Sequence, residues 1–222
     1  MTEESIPNPT KHGPLRLALG LPAYRGHIQA EQARMWTELG AALAQDEKRV
    51  QLAAFINVDT CGIDRARNLM LAAAMQANAD WLLMIDSDTW VVTSEYASSG
   101  FQLLEMIHSG ENLDATIIGA PVKRRGGEGL AVYVRKHDKL FAVKITDATA
   151  LTVVECDAIG AAVMAINLGK LQLDDRFVFT DQEGEDLNFC RKLRDRGDKI
   201  LVDTRVQTAH IARGTILLSK DP

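Results

Sequence analysis

Residues 79–91 read ADWLLMIDSDTWV, and this stretch decides how the rest of the chain is interpreted. The apolar run Leu82–Ile85 is too short for a membrane span and is typical of a strand covered on both faces. Asp86 and Asp88 follow it with one residue between them. If the chain stays extended, residues two apart point to the same side, so both carboxylates would face one spot at the carboxyl end of the strand.

Two carboxylates this close together need a compensating charge or exposure to water. At an effective dielectric of ~20, two like charges about 5 Å apart repel by roughly 3 kcal/mol. A divalent cation would offset this repulsion, and so would protonation of one acid. The alternative is an acid pair in a solvated turn, where Asp is a common residue and water screens the repulsion.

The segments around this stretch alternate between strand and helix patterns. Strands are predicted at Leu15–Leu21, Val50–Ile56, Trp81–Ile85 and Ala115–Gly119, the last two of them buried. Amphipathic helices are predicted from Ile28 to Ala44 and from Ser94 to His108. Between them, another helix is predicted to follow Asp64, which would be its N-cap. This order predicts an α/β fold with a mostly parallel sheet between helices, whose ligands bind beyond the carboxyl ends of the strands.

The second half of the chain has a different pattern. Leu130–Val134 and Leu140–Ile145 fit short antiparallel strands. A turn at Asp157 followed by a buried strand, a helix beginning near Glu185 and a last strand at Lys199–Val202 complete the predicted elements. We expect a flexible arm over residues 1–14, a single catalytic domain over residues 15–212 and a C-terminal tail over residues 213–222.

Composition narrows the classes of protein and of partner. A chain of 222 residues suits one α/β domain. The net charge of −5 argues against attraction of the whole surface to nucleic acid or anionic membrane, but it allows a local basic patch. Three cysteines without C-x-x-C spacing indicate reduced thiols. With no signal peptide and no apolar run near ~20 residues, we expect a soluble cytoplasmic protein.

Several polar residues outside the acid pair are candidates for a site, each with an ordinary alternative. Arg67 could form a fork to phosphate or to one of the two acids, or it could be a surface arginine paired with a nearby acid. Tyr24 could stack on a nucleotide base or pack at the domain edge. His210 could bind a metal, although a lone histidine is more often a satisfied polar group.

Two charged segments have similar alternatives. Lys123, Arg124 and Arg125 stand beside two glycines and could contact phosphates, but such runs are more often solvated turns. Glu185 and Asp186 precede an apolar stripe, and acids at the start of a helix are favoured by its macrodipole whatever their function.

These segments occur in the order found in a known enzyme family. They are Pro22-Ala23-Tyr24, Ala66-Arg67-Asn68, Trp81–Asp88, Asp157–Ala161, Gly184–Leu187 with Arg191 downstream, and His210. By this order and spacing the chain resembles the glycosyltransferase family 2 type of sugar-nucleotide-dependent transferase. The resemblance implies the GT-A fold, a Rossmann-like three-layer sandwich with a mostly parallel central sheet and a smaller antiparallel portion on the acceptor side.

The resemblance also implies how a donor would be bound. Asp88 and His210 would bind Mn²⁺ or Mg²⁺, and Asp86 would reach the ribose, or the metal through water. Four further residues would lie beside the base or beneath the nucleotide: Pro22, Tyr24, Arg67 and Asn68. The implied donor is a UDP- or GDP-sugar.

The catalytic residues implied by the resemblance lie in the second half of the chain. Asp186 matches the general base that takes the proton from an acceptor hydroxyl, which gives inversion at the anomeric carbon. Glu185 and Asp157 would orient the acceptor or the donor sugar. The acceptor is not identified, and one version is a hydroxyl on modified DNA, with Lys123, Arg124 and Arg125 on the phosphates.

Two other functions stay open from the sequence. A nucleotidyltransferase would also use acids and a metal, but it usually has a glycine-rich loop with a lysine after the first strand, which Pro22–Gly26 lacks. A non-catalytic protein that binds nucleotide sugars or nucleic acid is the third candidate. The leading prediction is a metal-dependent glycosyltransferase.

Overall fold

The structure is a computed structural model that describes residues 13–23, 28–59, 62–94, 97–124, 129–137, 139–143, 152–181, 183–212 and 215–219. The helices in these ranges are α1 (Ala30–Gln45), α2 (Ile63–Gln76), α3 (Ser99–Asn112) and α4 (Glu185–Asp195). The strands of the first half are β1 (Leu15–Pro22), β2 (Val50–Val58), β3 (Trp81–Ile85), β4 (Thr89–Val91) and β5 (Ile117–Gly119). Those of the second half are β6 (Val132–Lys136), β7 (Lys139–Ala142), β8 (Val153–Cys156), β9 (Ala158–Ile159), β10 (Val163–Asn167), β11 (Ile200–Asp203), β12 (Thr208–Ala212) and β13 (Thr215–Leu218).

The central sheet has seven strands in the order β2-β1-β3-β10-β5-β11-β8. Five of them run in one direction, while β10 and β8 are antiparallel to their neighbours. Two smaller antiparallel sheets, β13-β12-β4 and β7-β6-β9, flank it. The predicted α/β, GT-A-like sandwich with a mostly parallel sheet and a smaller antiparallel portion is confirmed.

The apolar run of β3 lies at the centre of this sheet, and all five of its residues are fully buried. Trp81, Leu83 and Ile85 point to the core shared with α1 and α3, while Leu82 and Met84 point to the core shared with α2 and α4. This alternation is the period of two that a strand imposes. A strand covered on both faces reads as a continuous apolar run, as predicted.

Several predicted boundaries differ from the structure. The helix predicted at Ser94–His108 begins at Ser99, because Ser98 is its N-cap and accepts a hydrogen bond from the Phe101 backbone N–H at 3.4 Å. The prediction of Asp64 as an N-cap is wrong: Gly62 precedes α2 with a φ of 103°, which glycine adopts more easily than other residues. The first strand, predicted at Leu15–Leu21, extends one residue further, to Pro22, which pairs with Val58.

Strand structure continues past residue 212, where we predicted the domain to end. β13 pairs antiparallel with β12 inside the segment assigned to a tail. Residues 1–12 of the predicted arm lie outside the described residues. Within the described residues, no helix has the length and apolar character required to cross a membrane.

α1 and α3 pack so closely that one position admits only glycine. A Cβ placed on Gly100 would lie 2.3 Å from the backbone oxygen of Glu38 and 2.6 Å from the Cα of Leu39. Backbone atoms cannot move aside like the end of a flexible side chain. The contact therefore depends on the missing side chain at residue 100.

Substitution of two helical glycines is expected to have effects of opposite sign. Gly100→Ala should lower the free energy of unfolding by about 2–3 kcal/mol, the upper range for overpacking. Gly40→Ala, in α1 with no other atom within 4 Å of its Cβ position, should raise it by about 0.5–1 kcal/mol through helix propensity. Urea unfolding of both variants measures this, and equal effects would show that the α1–α3 contact is looser than described.

Candidate functional site

A cleft of about 650 Å³ opens where β1 and β3 end. Because β10 runs the opposite way to β3, its beginning lies at the same end of the sheet. Nine residues that we selected from the sequence line this cleft: Pro22, Arg67, Asp86, Asp88, Lys123, Arg124, Glu185, Asp186 and His210. Segments from across the chain therefore meet at one place, at the carboxyl ends of parallel strands, as predicted for this class of sheet.

The acid pair lies in a tight turn between β3 and β4. The Thr89 backbone N–H donates to the Asp86 backbone oxygen at 3.0 Å, closing a four-residue turn. The expectation that an extended backbone aligns the two side chains is wrong, because this hydrogen bond curls the chain. Asp86 and Asp88 nevertheless both line the cleft, and both are half-buried rather than fully solvated.

Gln32 of α1 holds this turn in place. Its side chain is fully buried, and Nε2 donates to the backbone oxygens of Asp86 at 2.7 Å and Thr89 at 3.2 Å. On the other side, the Asp86 backbone N–H donates to the Ala162 oxygen at 3.0 Å. The turn is thus fixed from α1 and from the start of β10. Sequence reasoning missed Gln32 because an amide on an amphipathic helix looks like a solvent-facing residue.

The pairing of β4 with β12 brings Asp88 next to His210. The two strands are antiparallel with Thr89 opposite His210, and the Ile211 backbone N–H donates to the Asp88 backbone oxygen at 3.0 Å. His210 is buried and lines the cleft together with Asp88. Two residues far apart in the sequence therefore share one wall of the cleft.

The chemistry of Asp88 and His210 fits the predicted Mn²⁺ or Mg²⁺. Carboxylate oxygen suits both ions, and imidazole nitrogen is a common ligand of divalent transition metals. Within the described ranges, no group of three or more His, Cys, Asp or Glu side chains is arranged to hold a metal. Phosphate-handling Mg²⁺ sites use one or two carboxylates and complete their coordination with substrate phosphates and water. Metal binding at this pair remains a prediction.

Arg67 is a buried bridge between two acids. Its side chain is only 4% exposed, Nη2 lies 3.1 and 3.2 Å from the carboxylate oxygens of Asp86, and Nη1 donates to Oε1 of Glu185. Burial tends to lower the pKa of the Arg67 guanidinium, but the surrounding carboxylates outweigh it and raise the pKa above its usual value. The predicted contact of Arg67 with an acid of the pair is observed, and the alternative that places Arg67 at the surface is wrong.

This bridge distinguishes the two members of the acid pair. Asp86 forms an ion pair with Arg67, while Asp88 accepts a hydrogen bond from the Thr89 hydroxyl at 3.3 Å and stands beside His210. Its position beside His210 makes Asp88 the better candidate for direct metal ligation. The predicted role of Asp86 as a second ligand, directly or through water, stays a prediction.

Glu185 and Asp186 occupy the first turn of α4, where the helix macrodipole favours negative charge. Burial raises the pKa of the Glu185 carboxyl, and the charge of Arg67 offsets part of this effect. Asp186 lines the cleft, with Oδ1 accepting from the Leu187 N–H at 2.8 Å and Oδ2 from the Ala161 N–H at 3.3 Å. Glu185 is thus tied to Arg67, while Asp186 presents its carboxylate to the cleft.

Two predicted site residues do not line the cleft. Asn68 exchanges two hydrogen bonds of 2.8 Å with the backbone of Phe177 and so anchors the segment before α4. Asp157 accepts from the Arg135 backbone N–H at 2.6 Å and forms an ion pair with Arg194 at 3.4 Å. The remaining predicted residues, Tyr24 and Arg125, lie outside the described residues.

Tyr133 is a lining residue that the sequence did not single out. It belongs to β6, opposite Ala158 of β9, and lines the cleft with Asp186 and Arg124. Burial raises the pKa of its hydroxyl, so the group is a neutral hydrogen-bond donor at neutral pH. Only the pairing of β6 with β9 reveals this position, since one tyrosine in a short strand has no distinctive pattern.

Comparisons with known proteins support the fold and do not assign a family. No family model and no curated protein matches the sequence. The crystal structure of A197 from STIV is 13% identical with a TM-score of 0.56, and the match covers 94% of this chain and 96% of that one. At this identity the likeness concerns the fold alone.

Two further solved structures match less well. S. aureus TarS 1-349 in complex with UDP is 15% identical with a TM-score of 0.47, and the match covers 85% of this chain and 57% of that one. Apo UDP-glucose pyrophosphorylase is 10% identical with a TM-score of 0.49, and the match covers 89% of this chain and 93% of that one.

Proposed function

We propose that this protein is a metal-dependent glycosyltransferase that moves a sugar from a UDP- or GDP-sugar to an acceptor hydroxyl. The observation that carries the proposal is the convergence of Asp88, His210 and Asp186 on one cleft at the carboxyl ends of the strands. Such a cleft offers a site for a cation and diphosphate beside a carboxylate able to accept a proton.

The donor would be held mainly by the first half of the chain and by β12. Asp88 and His210 would hold the metal, and Pro22 lies at the end of β1, where the nucleotide would enter. A bound Mn²⁺ or Mg²⁺ would neutralise charge that develops on the departing nucleoside diphosphate. Arg67 would act indirectly by holding the carboxylates of Asp86 and Glu185 in place.

Asp186 would serve as the general base. Its carboxylate accepts the proton as the acceptor oxygen attacks the anomeric carbon, and the bond from that carbon to the diphosphate oxygen breaks. The products are the glycosylated acceptor and a nucleoside diphosphate. Attack from the side opposite the leaving group inverts the anomeric centre. Glu185 would set the position of Asp186 through its own ion pair with Arg67.

A panel of nucleotide sugars tests the proposal. With Mn²⁺ present, we expect at least one UDP- or GDP-sugar to release nucleoside diphosphate, faster when the right acceptor is added. Acceptors to test are oligosaccharide, protein and duplex DNA containing hydroxymethylated bases, the last because of the predicted basic segment. Release or consumption of pyrophosphate instead would indicate nucleotidyl transfer. Failure of every donor with every acceptor would contradict the proposal.

A further inference from the structure

The wall of the cleft that follows β5 carries two cations and an aromatic ring. Lys123, Arg124 and Tyr133 line the cleft together with Asp186. The guanidinium carbon of Arg124 lies 6.0 Å from the centroid of the Tyr133 ring, within range of a cation–π contact. The proposed reaction leaves these three residues without a role.

The segment that carries the cations has a defined backbone. Lys123 forms an antiparallel bridge with Leu130, and the Arg124 N–H donates to the Gly129 oxygen at 3.2 Å. The next pair, on the side towards β5 and β6, is also hydrogen-bonded: the Ala131 N–H donates to the Val122 backbone oxygen at 2.7 Å. The two cations therefore stand on a hydrogen-bonded stem, with Lys123 half-buried and Arg124 exposed.

The strand order separates this stem from the part of the cleft beside Asp86, where the donor is proposed to bind. β5, which leads into Lys123 and Arg124, is separated from β3 by β10, while Asp86 follows β3 directly. Asp186 reaches the region between them, since it accepts from the Ala161 N–H just before β10. The cations thus share the half of the cleft in which an acceptor would approach the proposed base.

We infer that Lys123, Arg124 and Tyr133 form an acceptor subsite, and that the acceptor carries a phosphate near the hydroxyl that receives the sugar. This inference rests on the proposed function. Two cations give charge-assisted hydrogen bonds to phosphate oxygens, and the tyrosine ring offers a face to a sugar or a base. Nucleic acid and small sugar phosphates share this chemistry.

The donor diphosphate is the competing explanation for these cations. The Thr208 hydroxyl donates to the Pro121 backbone oxygen at 2.7 Å, which ties the stem to β12 two residues before His210. A test must therefore measure donor and acceptor binding separately.

Matched pairs of acceptors that differ only by a phosphate provide the test. The probes are 5-hydroxymethyl-2′-deoxycytidine with its 5′-monophosphate, and glucose with glucose 6-phosphate. Calorimetric titration of the full chain, with and without Mn²⁺ and UDP or GDP, should show about tenfold tighter binding of the phosphate member in at least one pair, the size of one charge-assisted hydrogen bond. A preference in the nucleotide pair indicates nucleic acid, and one in the glucose pair indicates a sugar phosphate.

Variants of the two cations decide whether these residues cause the preference. Arg124→Gln and Lys123→Gln should each remove most of the phosphate preference and leave Mn²⁺-dependent UDP or GDP binding unchanged. Lys136→Gln, an exposed cation at the end of β6 outside the cleft lining, should retain it. Urea unfolding of each variant confirms that it is folded.

Three results would overturn the inference: equal binding of both members in both pairs, a preference that survives in both cation variants, or variants that weaken nucleotide binding by the same factor. The last result would assign the cations to the donor. A wild-type protein that binds no nucleoside diphosphate would contradict the proposed function instead. The acceptor titrations without nucleotide would still decide the subsite.

Discussion

Asp186→Asn is expected to lower sugar transfer by roughly 10³-fold, within the range that general-base catalysis contributes. The asparagine amide has nearly the shape of the carboxylate, so its oxygen can still accept from the Leu187 or Ala161 N–H. It cannot take a proton from the acceptor hydroxyl. Nucleotide binding with Mn²⁺ should stay within about twofold of the wild type, because only the chemical step is lost.

The control for this substitution lies on the same helix. Asp195→Asn removes an exposed carboxylate that pairs with Arg135 at 2.8 Å, and it should leave transfer unchanged. Initial rates with the donor and acceptor found in the panel give both values. If Asp186→Asn kept more than about a tenth of wild-type turnover, or lost nucleotide binding to the same extent as turnover, Asp186 would not be the base.

Arg67→Met is expected to destabilise the fold by about 3–5 kcal/mol, the cost of removing one partner from a buried ion pair. Methionine fills much of the space but leaves Asp86 and Glu185 without their counter-charge. Arg67→Lys should recover only part of the loss, since an ammonium lacks the fork that reaches both carboxylates. Urea unfolding at neutral pH measures all three proteins.

The effect of Arg67→Met should depend on pH in a defined direction. The pKa of Glu185 is already raised by burial, and loss of Arg67 raises it further. Between the unfolded and folded pKa values, the folded state then binds more protons than the unfolded state, so its stability rises as the pH falls. The difference in free energy of unfolding between the wild type and Arg67→Met should therefore become smaller from pH 7 to pH 5.

Arg191→Met on α4 is the matched control for Arg67→Met. Arg191 pairs with Glu183 at 2.8 Å, but its side chain is 44% exposed, so its loss should cost less than about 1 kcal/mol. Two results would show that Arg67 is not a buried bridge. One is an equal loss of stability in Arg67→Met and Arg191→Met. The other is a difference in free energy of unfolding between the wild type and Arg67→Met that grows as the pH falls.

Much of the sandwich could be predicted because its main signals are local. The apolar run of β3 and the alternation of strand and helix patterns require only neighbouring residues. The reversed strand β10 was not anticipated, since periodicity reports that a strand is buried but not which way it runs. The N-cap of α2 was also missed, because the φ of Gly62 depends on how the preceding chain approaches the helix.

The composition of the site was easier to predict than its internal connections. Asp86, Asp88 and Asp186 stand out in the sequence because each is an acid next to a predicted buried element, and all three line the cleft. The Arg67 bridge to Glu185 and the pairing of β4 with β12 join residues more than a hundred positions apart. Such contacts arise from the packing of whole elements, which no local pattern encodes.

Two further residues show the same limit in opposite directions. Nothing in the sequence marks Gln32 as a site residue, yet its side chain donates the hydrogen bonds that hold the turn containing Asp86 and Asp88. Asp157 has the right residue type in the right order, yet its carboxylate is taken up by the Arg135 backbone and by Arg194. Residue type predicts the chemistry available to a side chain, but the partners around it decide where that chemistry is used.

The most direct test of the metal and diphosphate site is thermal stabilisation by UDP or GDP with and without Mn²⁺. At about 100 times its dissociation constant, a nucleotide stabilises the folded state by ~2.7 kcal/mol, which for a chain of this size raises Tm by roughly 5–10 °C. We predict this increase only when Mn²⁺ is present, and we predict its loss in Asp88→Asn. The same increase without Mn²⁺, or an unchanged increase in Asp88→Asn, would contradict the account.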